Sequence, residues 1–88
     1  MEIELGMIVY SKSGRDKGRP FVVTGIEGDY VYLVDGDMRK LAKPKRKKKI
    51  HLQKTNFVNP ELREKLENNG YLLDADFRKA LLAVGRSS

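Results

Sequence analysis

Half of the chain's 18 lysines and arginines lie in one stretch, Met38 to Thr55, which contains no Asp or Glu. Residues 1–37 carry four basic and seven acidic side chains, and residues 56–88 carry five of each, so the formal charge of +6 is a local property. The densest part, Lys43-Pro44-Lys45-Arg46-Lys47-Lys48-Lys49, sets six cations in seven residues, where they repel one another unless a polyanion is near. The chemistry such a run supports is the neutralisation of several phosphates at once, with release of condensed counterions, and a nucleic-acid backbone is the first partner to consider. Arg39, Lys40 and Lys54 lengthen the strip. A smaller group, Lys12, Arg15, Lys17 and Arg19, lies on or beside a glycine loop whose backbone amides, freed at Gly14 and Gly18, can also face a phosphate. A solvated loop or a nuclear import signal has the same composition.

Catalytic chemistry has little to draw on. The chain has one histidine, His51, and no cysteine, which leaves no metal set and no nucleophile–base pair. The expectation is a protein that is not an enzyme and takes no cofactor, no metal and no small-molecule substrate. His51, between Ile50 and Leu52, reads as a surface or RNA-facing strand residue. Asp35 and Asp37 read as turn chemistry, not as paired carboxylates. Gly14 and Gly18 do not make a P-loop, because no Gly-Lys-Ser/Thr follows them.

The elements that must position these residues change type along the chain. With 88 residues, 40% apolar and 34% charged, one small domain is expected. From Met7 to Leu52 the apolar residues are β-branched or aromatic and come in short runs broken by Gly, Asp and Ser. Expected strands are Met7 to Lys12, Pro20 to Ile26, Tyr30 to Val34, Arg39 to Ala42 and Ile50 to Gln53, enough for a small barrel. The loop Ser13 to Gly18, a tight turn at Gly28-Asp29 and a hairpin at Asp35-Gly36-Asp37 separate them. Alternation places Tyr30, Tyr32 and Val34 on one face of the third strand and buries Val31 and Leu33 on the other. The two tyrosines then serve sheet packing or stack on bases.

After Thr55 the residues become helix formers. Asn59 reads as an N-cap with Pro60 at the first helical position, Leu62 and Leu66 share a face, and Asn69-Gly70 is a stop. Asp74 caps a second helix over Ala75 to Val84 that ends at Gly85, with Phe77, Leu81 and Val84 as its stripe and Leu82 beside it. The expected division is a β unit over 1–55, with a basic loop at 43–49, and a helical extension over 56–88 that packs on it. Arg86-Ser87-Ser88 should fray.

The stretch from Gly6-Met7-Ile8-Val9 through Lys17-Gly18 to Phe21-Val22-Val23-Thr24 resembles a KOW motif: a strand opening Gly-x-hydrophobic-Val, a loop with Lys-Gly, and a second apolar strand. With the later basic loop, residues 5–54 resemble KOW-type proteins of the large ribosomal subunit and the short bacterial RNA-binding proteins similar to them. The resemblance implies a mainly β fold, an SH3-like five-stranded barrel, here followed by two short C-terminal α-helices. It also implies binding of structured, ribosomal RNA through loops, with Ser13 to Arg19 as the KOW loop and Gly18 as the motif glycine.

The function expected is therefore a non-catalytic RNA-binding protein associated with translation and the ribosome. Its contacts would be Lys43, Lys45, Arg46, Lys47, Lys48 and Lys49, extended by Arg39, Lys40 and Lys54, with Lys12, Arg15, Lys17, Gly18 and Arg19 as a second contact. KOW barrels also occur in elongation factors, so the alternative is a protein-interaction module docking on RNA polymerase or a ribosomal protein. Met1 to Leu5 is acidic and unlike a signal peptide, and no apolar run is long enough for a membrane span, so a cytoplasmic location with no membrane partner is expected.

Overall fold

In the computed structural model, which describes residues 2–85, the β-branched and aromatic runs form β1 (Met7–Ser11), β2 (Pro20–Glu27) and β3 (Tyr30–Val34). The chain continues through β4 (Lys45–Lys48), a 3-10 turn (Lys49–His51), β5 (Leu52–Val58), α1 (Pro60–Glu67) and α2 (Asp74–Gly85). The protein is mainly β: one antiparallel five-stranded sheet, in the order β4-β3-β2-β1-β5, and two C-terminal helices. β4 and β5 occupy opposite edges yet are joined by a three-residue turn, so the sheet must curl until its edges approach. It does not close into a barrel. At the junction the Lys49 N–H donates to the Asp29 carbonyl and the Lys12 N–H to the His51 carbonyl, each at 2.8 Å, where closure would need a β4–β5 ladder.

Strand alternation sends side chains to both faces, and both faces are covered. Ile3, Met7, Val9, Phe21, Val23, Val31, Leu33 and Leu52 fill the inside of the curl. Ile8, Val22 and Val34 point the other way and meet Leu62 of α1 with Phe77 and Ala80 of α2. Val31 and Leu33 are buried as alternation requires, but so is Val34 on the tyrosine face, because the helices reach that end of β3. Phe77 is wholly buried, Leu81 and Val84 pack beside it, and Leu82 stays exposed.

Local chemistry explains the helix boundaries. The Asn59 side chain accepts the Leu62 N–H at 3.0 Å, Pro60 occupies the first turn, and Asn69 takes a positive φ of 53° just beyond the end of α1. Asp74 does not cap its own helix as expected. Its carboxylate accepts the Leu41 N–H, while Asp76 reaches back to the Leu73 N–H at 2.9 Å, the half of a capping box that an acid at the third position supplies. Arg63 of α1 donates to Glu67 and Glu4 and so ties the N-terminal segment to the helix; the hydrogen bond it donates to Glu67, then the charges of Glu4 and Glu67, raise its pKa above the ordinary value.

Four sequence expectations move. β1 ends at Ser11, one residue short of Lys12. The stretch Arg39 to Ala42 is not a strand, because its backbone donors go to side chains: Asp35 accepts the Arg39 N–H at 2.7 Å and Asp74 the Leu41 N–H at 2.8 Å. For the same reason Asp35-Gly36-Asp37 opens a long loop over residues 35–44 where a tight hairpin was expected, and the fourth strand forms later, at Lys45–Lys48. Ile50 and His51 lie in the 3-10 turn, and β5 runs past Gln53 to Val58, so Asn56 to Val58 are strand and not helical extension. The expected fraying of Arg86-Ser87-Ser88 lies outside the described residues. Among those residues no helix is long and apolar enough to cross a membrane.

Candidate nucleic-acid interface

The dense basic run is an edge strand, not a loop. β4 pairs only with β3, in the register Tyr30↔Lys48, Val31↔Lys47, Tyr32↔Arg46 and Leu33↔Lys45. Residues directly opposite in an antiparallel pair project to the same face, so the run is sorted by pleat. Lys45 and Lys47 go with Val31 and Leu33 toward the inside of the curl and are half-buried; Arg46 and Lys48 go with the tyrosines and are exposed. Long aliphatic stems let lysines line the rim of an apolar core while their ammonium groups stay polar, and lysines on an edge strand also discourage pairing with other chains.

Lys47 shows what the inward position does. Its ammonium donates to the Ser11 hydroxyl at 2.6 Å and to the Ser13 carbonyl at 2.8 Å, fastening β4 to the loop between β1 and β2. That loop is the one carrying Lys12, Arg15, Lys17 and Arg19. Gly18, at φ +84°, donates its N–H to the Ser11 carbonyl at 2.7 Å and closes the loop's base. The Lys12 N–H bonds the 3-10 turn, so the first loop touches both β4 and the turn that bears Lys49. The two basic segments, far apart in the chain, are neighbours.

Two of the expected contact residues are engaged inside the protein. Arg39 donates to Asp16 at 3.1 Å and Arg19 pairs with Asp35 at 3.6 Å; both aspartates are buried, so these arginines compensate carboxylates that would otherwise be desolvated alone. The loop over 35–44 is held further by Arg78 of α2, which donates to the Gly36 carbonyl at 2.6 Å. Among the described residues, Lys12, Arg15, Lys17, Lys40, Lys43, Lys45, Arg46, Lys48 and Lys49 form no ion pair with a carboxylate. Lys54 lies exposed on β5, opposite Val9. His51 is exposed in the turn.

The outer face of β4 also carries a stack on β3. The guanidinium carbon of Arg46 lies 3.6 Å from the centre of the Tyr30 ring, and the Lys48 ammonium lies 5.8 Å from it. Alternation singled out the tyrosines, but no local signal specifies which residues of another strand sit beside them. Tyr32, opposite Arg46, donates its hydroxyl to Glu27 at 3.3 Å.

Fold and surface together define a small, curled antiparallel β domain with a basic edge and a basic loop side by side. No protein-family model matches the chain, and no curated protein matches it.

Proposed function

We propose that this protein is a non-catalytic RNA-binding module of the KOW type, its curled five-stranded sheet an open relative of the SH3-like barrel, that acts with structured RNA in translation. The observation that carries the reading is the Lys47 bridge to Ser11 and Ser13, which brings the cations of β4 beside those of the first loop. The resemblance of residues 5–54 to KOW proteins gives that basic surface its partner class. Phosphates are engaged by Lys43, Lys45, Arg46, Lys48 and Lys49 with Lys12, Arg15 and Lys17, while Arg19, Arg39 and Lys47 hold the surface together. Neutralisation of phosphates supplies affinity and position, and RNA shape supplies choice.

The test is RNA binding by the purified chain across a salt series. With about five phosphates engaged, log K falls against log salt with a slope of roughly 4 in magnitude. Crosslinking to cellular RNA then identifies the target, and ribosomal RNA at one position is the expected result. Binding that is flat in salt, or a protein partner retained after nuclease treatment and after neutralisation of β4, would replace this reading with a protein-docking one.

A further inference from the structure

The split of the basic run by the β4 pleat has a consequence for the kind of RNA bound. Lysines alone would make β4 a phosphate rail, but its outward pair includes an arginine laid on an aromatic ring. At 3.6 Å from the ring centre the Arg46 guanidinium is stacked on Tyr30. Arg46 itself is exposed. No carboxylate among the described residues claims the donors of Arg46 or Lys48. The helices cover this face of the sheet at Val34 and leave the half-buried Tyr30 and Tyr32 outside that core. A cationic stack thus lies on an exposed part of the sheet edge beside a lysine.

We infer that the Tyr30–Arg46 pair is a stacking platform for one unpaired RNA base, so that the RNA recognised presents a loop or bulge here in preference to a continuous duplex. This rests on the RNA-binding reading above and specifies its substrate. In a duplex the base faces are stacked on one another and unavailable, and only the backbone and groove edges meet a protein. A splayed base offers a π surface that continues the Tyr30–Arg46 stack, while Lys48 is placed for the adjoining phosphate. Tyr30 orders the guanidinium before the RNA arrives, which reduces the conformational freedom lost on binding.

The experiment measures the affinity of the full chain for two RNAs of equal length, a hairpin with an unpaired loop and a continuous duplex, using wild type, Arg46→Lys, Tyr30→Phe and Tyr30→Ala. Wild type should prefer the hairpin RNA. Arg46→Lys keeps the charge and loses the plane; Tyr30→Ala removes the ring beneath it. Each should lower hairpin affinity about tenfold, lower duplex affinity by clearly less, and so shrink the hairpin preference while keeping the salt slope, whereas Tyr30→Phe should bind like wild type. Arg46→Lys changes an exposed edge residue, so its result is readable even if Tyr30→Ala unfolds. Equal affinity for the two RNAs, or an Arg46→Lys protein indistinguishable from wild type, overturns the stacking platform and leaves salt-dependent RNA binding standing. Loss of salt-dependent binding to both RNAs in the wild type overturns both.

Discussion

The Arg39 guanidinium donates to the Asp16 carboxylate at 3.1 Å and joins the two loops whose charge would assign both to an anionic partner. Asp16 is 7% exposed. A positive charge counted from the sequence is thereby internal compensation, and the same holds for Arg19 with Asp35.

Arg39→Ala leaves that carboxylate without its cation, in a place where water reaches it poorly. Stability should fall by about 1–2 kcal/mol, a loss of roughly 5–15 °C in melting temperature for a domain of this size, while RNA affinity of the folded protein changes little. Thermal denaturation followed by circular dichroism, with binding measured well below the transition, decides it. An unaltered melting temperature would show that the pair is dispensable.

Neighbours in the basic run should behave differently. Lys47→Ala removes the two hydrogen bonds that fasten β4 to the first loop and should destabilise by about 1 kcal/mol. Lys48→Ala, one residue on and exposed, should stay within about 0.5 kcal/mol of wild type and instead reduce the salt slope of RNA binding by about 1. Chemical denaturation and salt titration of both variants separate the two roles; identical behaviour would contradict the pleat assignment.

Glycines with the same backbone angle should differ as sites of substitution. Gly18 and Gly36 have φ of +84° and +81°, but a Cβ on Gly18 meets open space whereas one on Gly36 would lie 2.2 Å from the Asp74 carbonyl oxygen. Gly18→Ala should cost about 1–2 kcal/mol from the left-handed conformation alone. Gly36→Ala adds overpacking against α2 and should cost about 2–5 kcal/mol in all. Urea midpoints of the pair provide the comparison, and equal losses would mean that α2 yields freely.

Phe77→Ala tests whether the helices belong to the folding unit. The ring is wholly buried in the core shared with Ile8, Val22 and Val34, so its loss should cost about 3–5 kcal/mol, a large part of the roughly 5–15 kcal/mol typical of a domain. Ending the chain after Val58 should leave those three residues uncovered and give a poorly folded, aggregating product. A truncated chain that keeps the full-length denaturation midpoint would show that α1 and α2 are accessory.

The residues by themselves determined the elements whose signals are local. β2 and β3 follow from apolar runs bounded by Gly and Pro, and α1 from Asn59-Pro60 at its start and Asn69 beyond its end, because caps, turns and strand alternation act over a few neighbouring residues. The local excess of positive charge was equally legible. Tertiary structure alone decided where that charge goes. A run of lysines reads as a loop until an apolar sheet supplies a strand edge to pair with, and that pairing sorts Lys45 and Lys47 from Arg46 and Lys48. Residues 39–42 read as a strand until Asp35 and Asp74, one nearby and one far along the chain, take their backbone donors. The Tyr30–Arg46 stack, the Lys47 bridge and the arginines held by buried aspartates all depend on which distant segments meet. That is set by the cooperative burial of two apolar faces, not by any spacing along the chain.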